Sequence, residues 1–83
     1  MPLVAVLDGI KIQFYWDEHP PPHFHVEYGE HVAVIEIRTL GIIEGWLPRP
    51  QYRKVLAWAK PRLSELMRAW TLCSSSEDPG KIA

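Results

Sequence analysis

The 83-residue sequence predicts an α+β fold: an antiparallel meander of about five strands packed against a C-terminal amphipathic, Pro-kinked helix. Three observations predict it. An apolar run, Leu3–Leu7, meets an alternating run from Ile10 to Trp16 across Asp8-Gly9. Two further alternating or β-branched runs, 23–28 and 31–37, flank Gly29-Glu30. From Tyr52 to Trp70 the apolar residues then recur at spacings of three and four.

Asp-Gly between apolar runs is a strong hairpin signal, because a type I′ turn requires positive φ at both central positions. A two-residue loop pairs Leu7 with Ile10, Ala5 with Ile12 and Leu3 with Phe14, all on one face. Pro20-Pro21-Pro22 donates no backbone hydrogen bond and favours an extended polyproline segment, so it reads as a stiff strap delivering His23 to the next strand. In that strand Phe24, Val26 and Tyr28 point one way, and His23, His25 and Glu27 the other. With Gly29-Glu30 as the loop, Phe24 lies opposite Ile35, Val26 opposite Ala33, His23 opposite Glu36 and His25 opposite Val34. A short fifth strand covers 42–46. Pro48 and Pro50 suit the first turn of a helix. The stripe Tyr52, Val55, Leu56, Ala59, Leu63, Leu66, Met67, Trp70 keeps its phase across Pro61, which predicts a kinked helix or two abutting helices over about 51–72. The chain therefore reads as a single domain: a β-rich half (1–48), a helix (49–72) and a loose tail (73–83).

Composition narrows the function classes. Hydrophobic residues at 47% and charged residues at 23% are globular values. So short a chain buries only about 60% of its unfolded surface, and the aromatic rings help a small core. One cysteine, Cys73, excludes an internal disulfide and fits a cytoplasmic location. No apolar run is long enough to span a membrane, and the N-terminal sequence has no basic segment before its apolar run, so no signal peptide is expected. The net charge of −1 conceals a split. Residues 1–48 carry two basic and seven acidic side chains, a net of −5; residues 49–83 carry seven basic and three acidic, a net of +4. Such a division can serve a cation at one end and an anion or acidic partner at the other, or the halves can simply attract each other.

The segment His19-Pro-Pro-Pro-His23-Phe-His25-Val-Glu27-Tyr-Gly-Glu30 resembles the signature of a small prokaryotic family, domain of unknown function 4160. Ile10 and Phe14 match its opening hairpin. Ile43, Glu44, Gly45, Leu47, Pro48 and Arg49 resemble the approach to its helix, and Trp58 and Trp70 its two tryptophans. Pro61 departs from the helix former usual there. The resemblance implies an α+β domain of about this length and no established activity. It also implies a neighbouring second gene, in arrangements like toxin–antitoxin pairs.

Three functional readings follow. In the first, His19, His23, His25 and Glu27 hold a divalent transition metal, since imidazole and carboxylate suit zinc, nickel, copper or iron. In the second, His23 and His25 are catalytic acid and base on RNA, with Arg49 or Arg53 holding the phosphate; this requires the helix N-terminus to reach the histidine face. In the third, which the balance favours, the domain is not an enzyme but a partner-binding, regulatory module of a two-gene unit. Arg49, Arg53, Trp58 and Lys60, with Trp46, are then candidate contacts, because tryptophan and arginine dominate interface hot spots. Core packing is the plain alternative for each tryptophan.

Overall fold

The structure, a computed structural model, describes residues 2–83. Asp8 and Gly9 both take positive φ (46° and 80°), so strands β1 (Leu3–Leu7) and β2 (Ile10–Gln13) close as a tight hairpin. Leu7 pairs with Ile10 and Ala5 with Ile12 as expected. Leu3, however, pairs with Gln13 rather than Phe14, because a register shift lies between Leu3 and Ala5. An extra residue in one strand changes which side chains face the core. Val4 is accordingly buried and Val6 is 56% exposed. Strand β2 also ends earlier than expected, which leaves Tyr15 and Trp16 exposed in the connection that follows.

Strands β3 (His23–Tyr28) and β4 (His31–Glu36) pair in the expected register throughout, from His23 opposite Glu36 to Tyr28 opposite His31. Gly29, at φ 59°, makes the turn. The next turn is tied by Glu36 N–H to the Gly41 carbonyl (3.0 Å) and Leu40 N–H to the Glu36 carbonyl (2.8 Å). Strand β5 (Ile42–Gly45) completes a five-stranded antiparallel sheet in sequence order. Its Gly45 has φ 81°, and a side chain there would overlap the Val32 carbonyl oxygen.

One face of the sheet presents Ile10, Ile12, Phe24, Val26, Ala33 and Ile35 to the helical layer. That layer is a continuous run wound as α1 (Arg49–Ala59), a 3₁₀ turn (Lys60–Arg62) and α2 (Leu63–Ser74). Pro61 is thus absorbed by a change of winding. Proline has no N–H to donate to the preceding turn. The Trp58 carbonyl in that turn accepts instead from the Arg62 guanidinium (2.7 Å). Tighter winding also alters the angular step per residue, and Leu63, expected in the apolar stripe, is 38% exposed. Val55, Ala59, Leu66, Ala69 and Cys73 form the buried helical side of the core, with Tyr52, Leu56, Trp58, Met67 and Trp70 packed around them.

Cys73 and Ser74, expected in the tail, close α2; beyond Ser74 the tail has no regular structure, but it is tied to β1. Ile82 is buried and its N–H bonds to the Val4 carbonyl (2.9 Å), while Lys81 Nζ donates to the Leu3 carbonyl (2.6 Å). The bulge that disrupts β1 also leaves edge groups for the tail to use. No helix among the described residues is long and apolar enough to cross a membrane.

Candidate functional site

The proline strap bends at Pro20 and Pro21, where the connecting peptide is cis, instead of running as one extended segment. Pro22 is buried, and its carbonyl accepts from Ile37 N–H (2.9 Å), which anchors the strap to the end of β4. His23 follows at the first position of β3. Its Nδ1 lies 2.7 Å from the Pro21 carbonyl, an acceptor, so Nδ1 carries the hydrogen and Nε2 points away from the strap. His25 lies two residues on, on the same side of the strand. The two rings meet edge to face with centroids 5.2 Å apart.

The connection from β2 supplies the rest. Gln13 pairs with His25, so Tyr15, two residues further, reaches the same ring and stacks on it at 4.0 Å. Asp17 takes positive φ (53°) and the chain returns. Glu18 Oε1 then lies 2.7 Å from His25 Nε2 and 3.4 Å from His23 Nε2. Burial alone would raise the Glu18 pKa. Hydrogen bonds from His25 and His23, together with their charge, outweigh it and hold the carboxyl below its usual value. From the helical layer Trp70 closes the site, its ring 5.0 Å from that of His23. The His23 side chain is 10% exposed, those of His25 and Glu18 21% and 28%.

Of the four residues expected from sequence to form one cluster, the structure brings together His23 and His25, and adds Glu18. Glu18, His23 and His25 place one donor atom each within 4.8 Å of one another, and no other such group of three or more exists among the described residues. His19 is exposed and outside the group. Glu27 lies directly opposite Lys11 and pairs with it at 3.7 Å. Sequence reading missed Glu18 because it left the β2–β3 register open; with Gln13 opposite His25, a returning loop must cross the start of β3.

Arg49, Arg53 and Lys60 lie exposed on the helical layer. Trp58 is half-buried against the core, with the Arg62 guanidinium 5.3 Å from its ring. The RNA reading needs the helix N-terminus at the imidazoles. Near that N-terminus, Tyr52 donates to the Leu40 carbonyl (2.6 Å) and Lys54 pairs with Asp8 (3.2 Å). The helical residue that reaches His23 is Trp70, close to the other end. Among the described residues, no arginine or lysine joins the hydrogen bonds or ion pairs of the cluster.

His25 also forms one wall of a groove of about 220 Å³, which Tyr15, Glu27, Val32, Val34 and Glu44 help to line. The cluster thus opens onto the sheet face that the helices leave uncovered. No curated protein and no solved structure matches the chain. A family model does, over residues 9–71, a span that takes in strands β2 to β5, the histidine segment and the helical layer as far as Thr71. On that match the chain belongs to the family described as Domain of unknown function (DUF4160).

Proposed function

We propose that the protein is a partner-binding, regulatory module of the cytoplasm, working with the product of an adjacent gene in a toxin–antitoxin-like unit. The uncovered sheet face and its β5 edge carry this reading. Val32 and Trp46 are each 60% exposed there and Ile43 50%. Trp46 N–H bonds to the Val32 carbonyl (3.1 Å) and the Trp46 ring meets that of His31 at 5.0 Å, so the patch is held in place. A held tryptophan beside a shallow groove gives a partner an anchor with little ordering cost. An edge strand also offers free backbone groups for an added strand. The excess of acidic side chains in residues 1–48, the segment that forms the sheet, favours a basic partner surface.

The test is calorimetric titration of the adjacent gene's product into the wild-type protein and into Trp46→Ala and Val32→Glu. Binding at micromolar concentration or tighter, weakened about 30-fold by Trp46→Ala as for a hot spot of about 2 kcal/mol, is expected. Absence of a complex, or equal affinity in both variants, contradicts the reading.

A further inference from the structure

We infer that Glu18, His23 and His25 form a binding site for one divalent first-row transition metal ion, zinc(II) being the best fit. The inference is independent of the partner reading and concerns the protein alone.

Its basis is the arrangement of lone pairs. His23 gives its Nδ1 hydrogen to the Pro21 carbonyl, so in the neutral ring Nε2 is an acceptor. That acceptor faces another, Glu18 Oε1, at 3.4 Å. Two acceptors at that separation are reconciled only by a cation, either a proton or a metal. His25 Nε2 approaches the same oxygen at 2.7 Å and can supply just one proton. Three ligand atoms thus converge on one region, where either ring protons or a metal ion must lie between them.

The support around the ligands is the kind a metal ligand uses. A ligating imidazole characteristically donates its other N–H to a carbonyl or carboxylate, which fixes the ring and raises its basicity. His23 makes that bond with Pro21, and Trp70 packs on its ring. Tyr15 holds the His25 ring by stacking. Residues i and i+2 of a strand stand too far apart for short side chains to share an ion, but these rings lean together to 5.2 Å.

Ligand atoms about 2.0–2.1 Å from a common tetrahedral ion lie about 3.3 Å from each other. The His23–Glu18 separation of 3.4 Å already meets this, the His25–Glu18 contact of 2.7 Å must open by about 0.6 Å, and the donor atoms of the two rings, within 4.8 Å of each other, must close toward the same distance. Glu18 sits on the β2–β3 connection and is partly exposed, so its carboxylate can make that shift as the ion takes the place of the shared hydrogen, which neutral His25 then carries on Nδ1. Two imidazoles and one carboxylate are borderline donors that match zinc(II) and its neighbours rather than magnesium or calcium. Three protein ligands leave further positions for water, and the site opens toward the groove beside His25.

The experiment is titration of tag-free, chelator-treated protein with zinc(II) by calorimetry and with cobalt(II) by visible absorption, following tryptophan fluorescence in parallel. One ion per chain at micromolar or lower Kd, a cobalt ligand-field band and a change in Trp70 emission are expected. Glu18→Gln and His25→Ala should each weaken binding at least tenfold, while His19→Ala and Glu27→Gln bind as wild type. Glu18→Gln alters only a partly exposed loop side chain, so it stays informative if His25→Ala does not fold. No saturable 1:1 binding below 100 µM, or unchanged affinity in Glu18→Gln, overturns the inference.

Discussion

At the scale of single residues, Glu18 shows what sequence spacing can and cannot carry. His23 and His25 were legible as a pair because strand alternation places i and i+2 on one side. Their third companion was not, since it depends on positive φ at Asp17 and on a loop crossing β3, neither of which leaves a periodic trace. Glu27 has the right alternation, but Lys11 lies directly across from it and takes it. Gly45 is a second residue whose role appears only in three dimensions. Gly45→Ala combines a disfavoured φ with overlap on the Val32 carbonyl, and should lower stability by at least about 1 kcal/mol, read as a shift in urea midpoint. Cys73 is 1% exposed, and burial, with the Asp78 charge beside it, pushes its thiol pKa up. A thiol reagent at pH 8 should therefore leave the native protein unlabelled and react once urea unfolds it; rapid native labelling contradicts this placement.

At the scale of elements, the β3–β4 ladder was readable to the residue, because β-branched and aromatic side chains flank a glycine turn and a one-residue slip would expose Phe24 and Ile35. The β1 bulge was not readable, since Leu3, Val4 and Ala5 are all apolar and either register buries something. The same ambiguity hid the tail. Ile82 looks like an isolated apolar residue in a polar stretch, yet it fills the core beside Val4. Ile82→Ala should cost about 2 kcal/mol in chemical denaturation, and the Ile82 amide should be protected from exchange. Phe24→Ala should cost about 3–5 kcal/mol, a large part of the roughly 5–15 kcal/mol that holds a domain folded. At Pro61 the persistent apolar stripe correctly gave a helical continuation; the 3₁₀ winding and the Arg62 bond to Trp58 arise from local hydrogen-bond competition that periodicity does not record.

At the scale of the whole molecule, the charge split of the sequence becomes a split between layers: an acidic sheet and a largely basic helical layer. Among the described residues, Lys54 with Asp8 is the ion pair that joins helix and sheet side chains. The layers are therefore held mainly by apolar packing, and both charged surfaces stay available to solvent or partners. A fragment of residues 1–48 lacks the cover given by Val55, Ala59, Leu66 and Ala69 and should show no dispersed amide spectrum. The site belongs to this scale too, since strand, returning loop and helix must all meet for Glu18, His25, His23 and Trp70 to touch. Long-range proton–nitrogen correlation of the imidazole rings tests that meeting most directly. Glu18→Gln should move the ring nitrogens of both His23 and His25, with His23 Nδ1 bearing a hydrogen throughout, while Glu27→Gln moves neither; rings indifferent to Glu18→Gln, or responsive to Glu27→Gln, contradict the account.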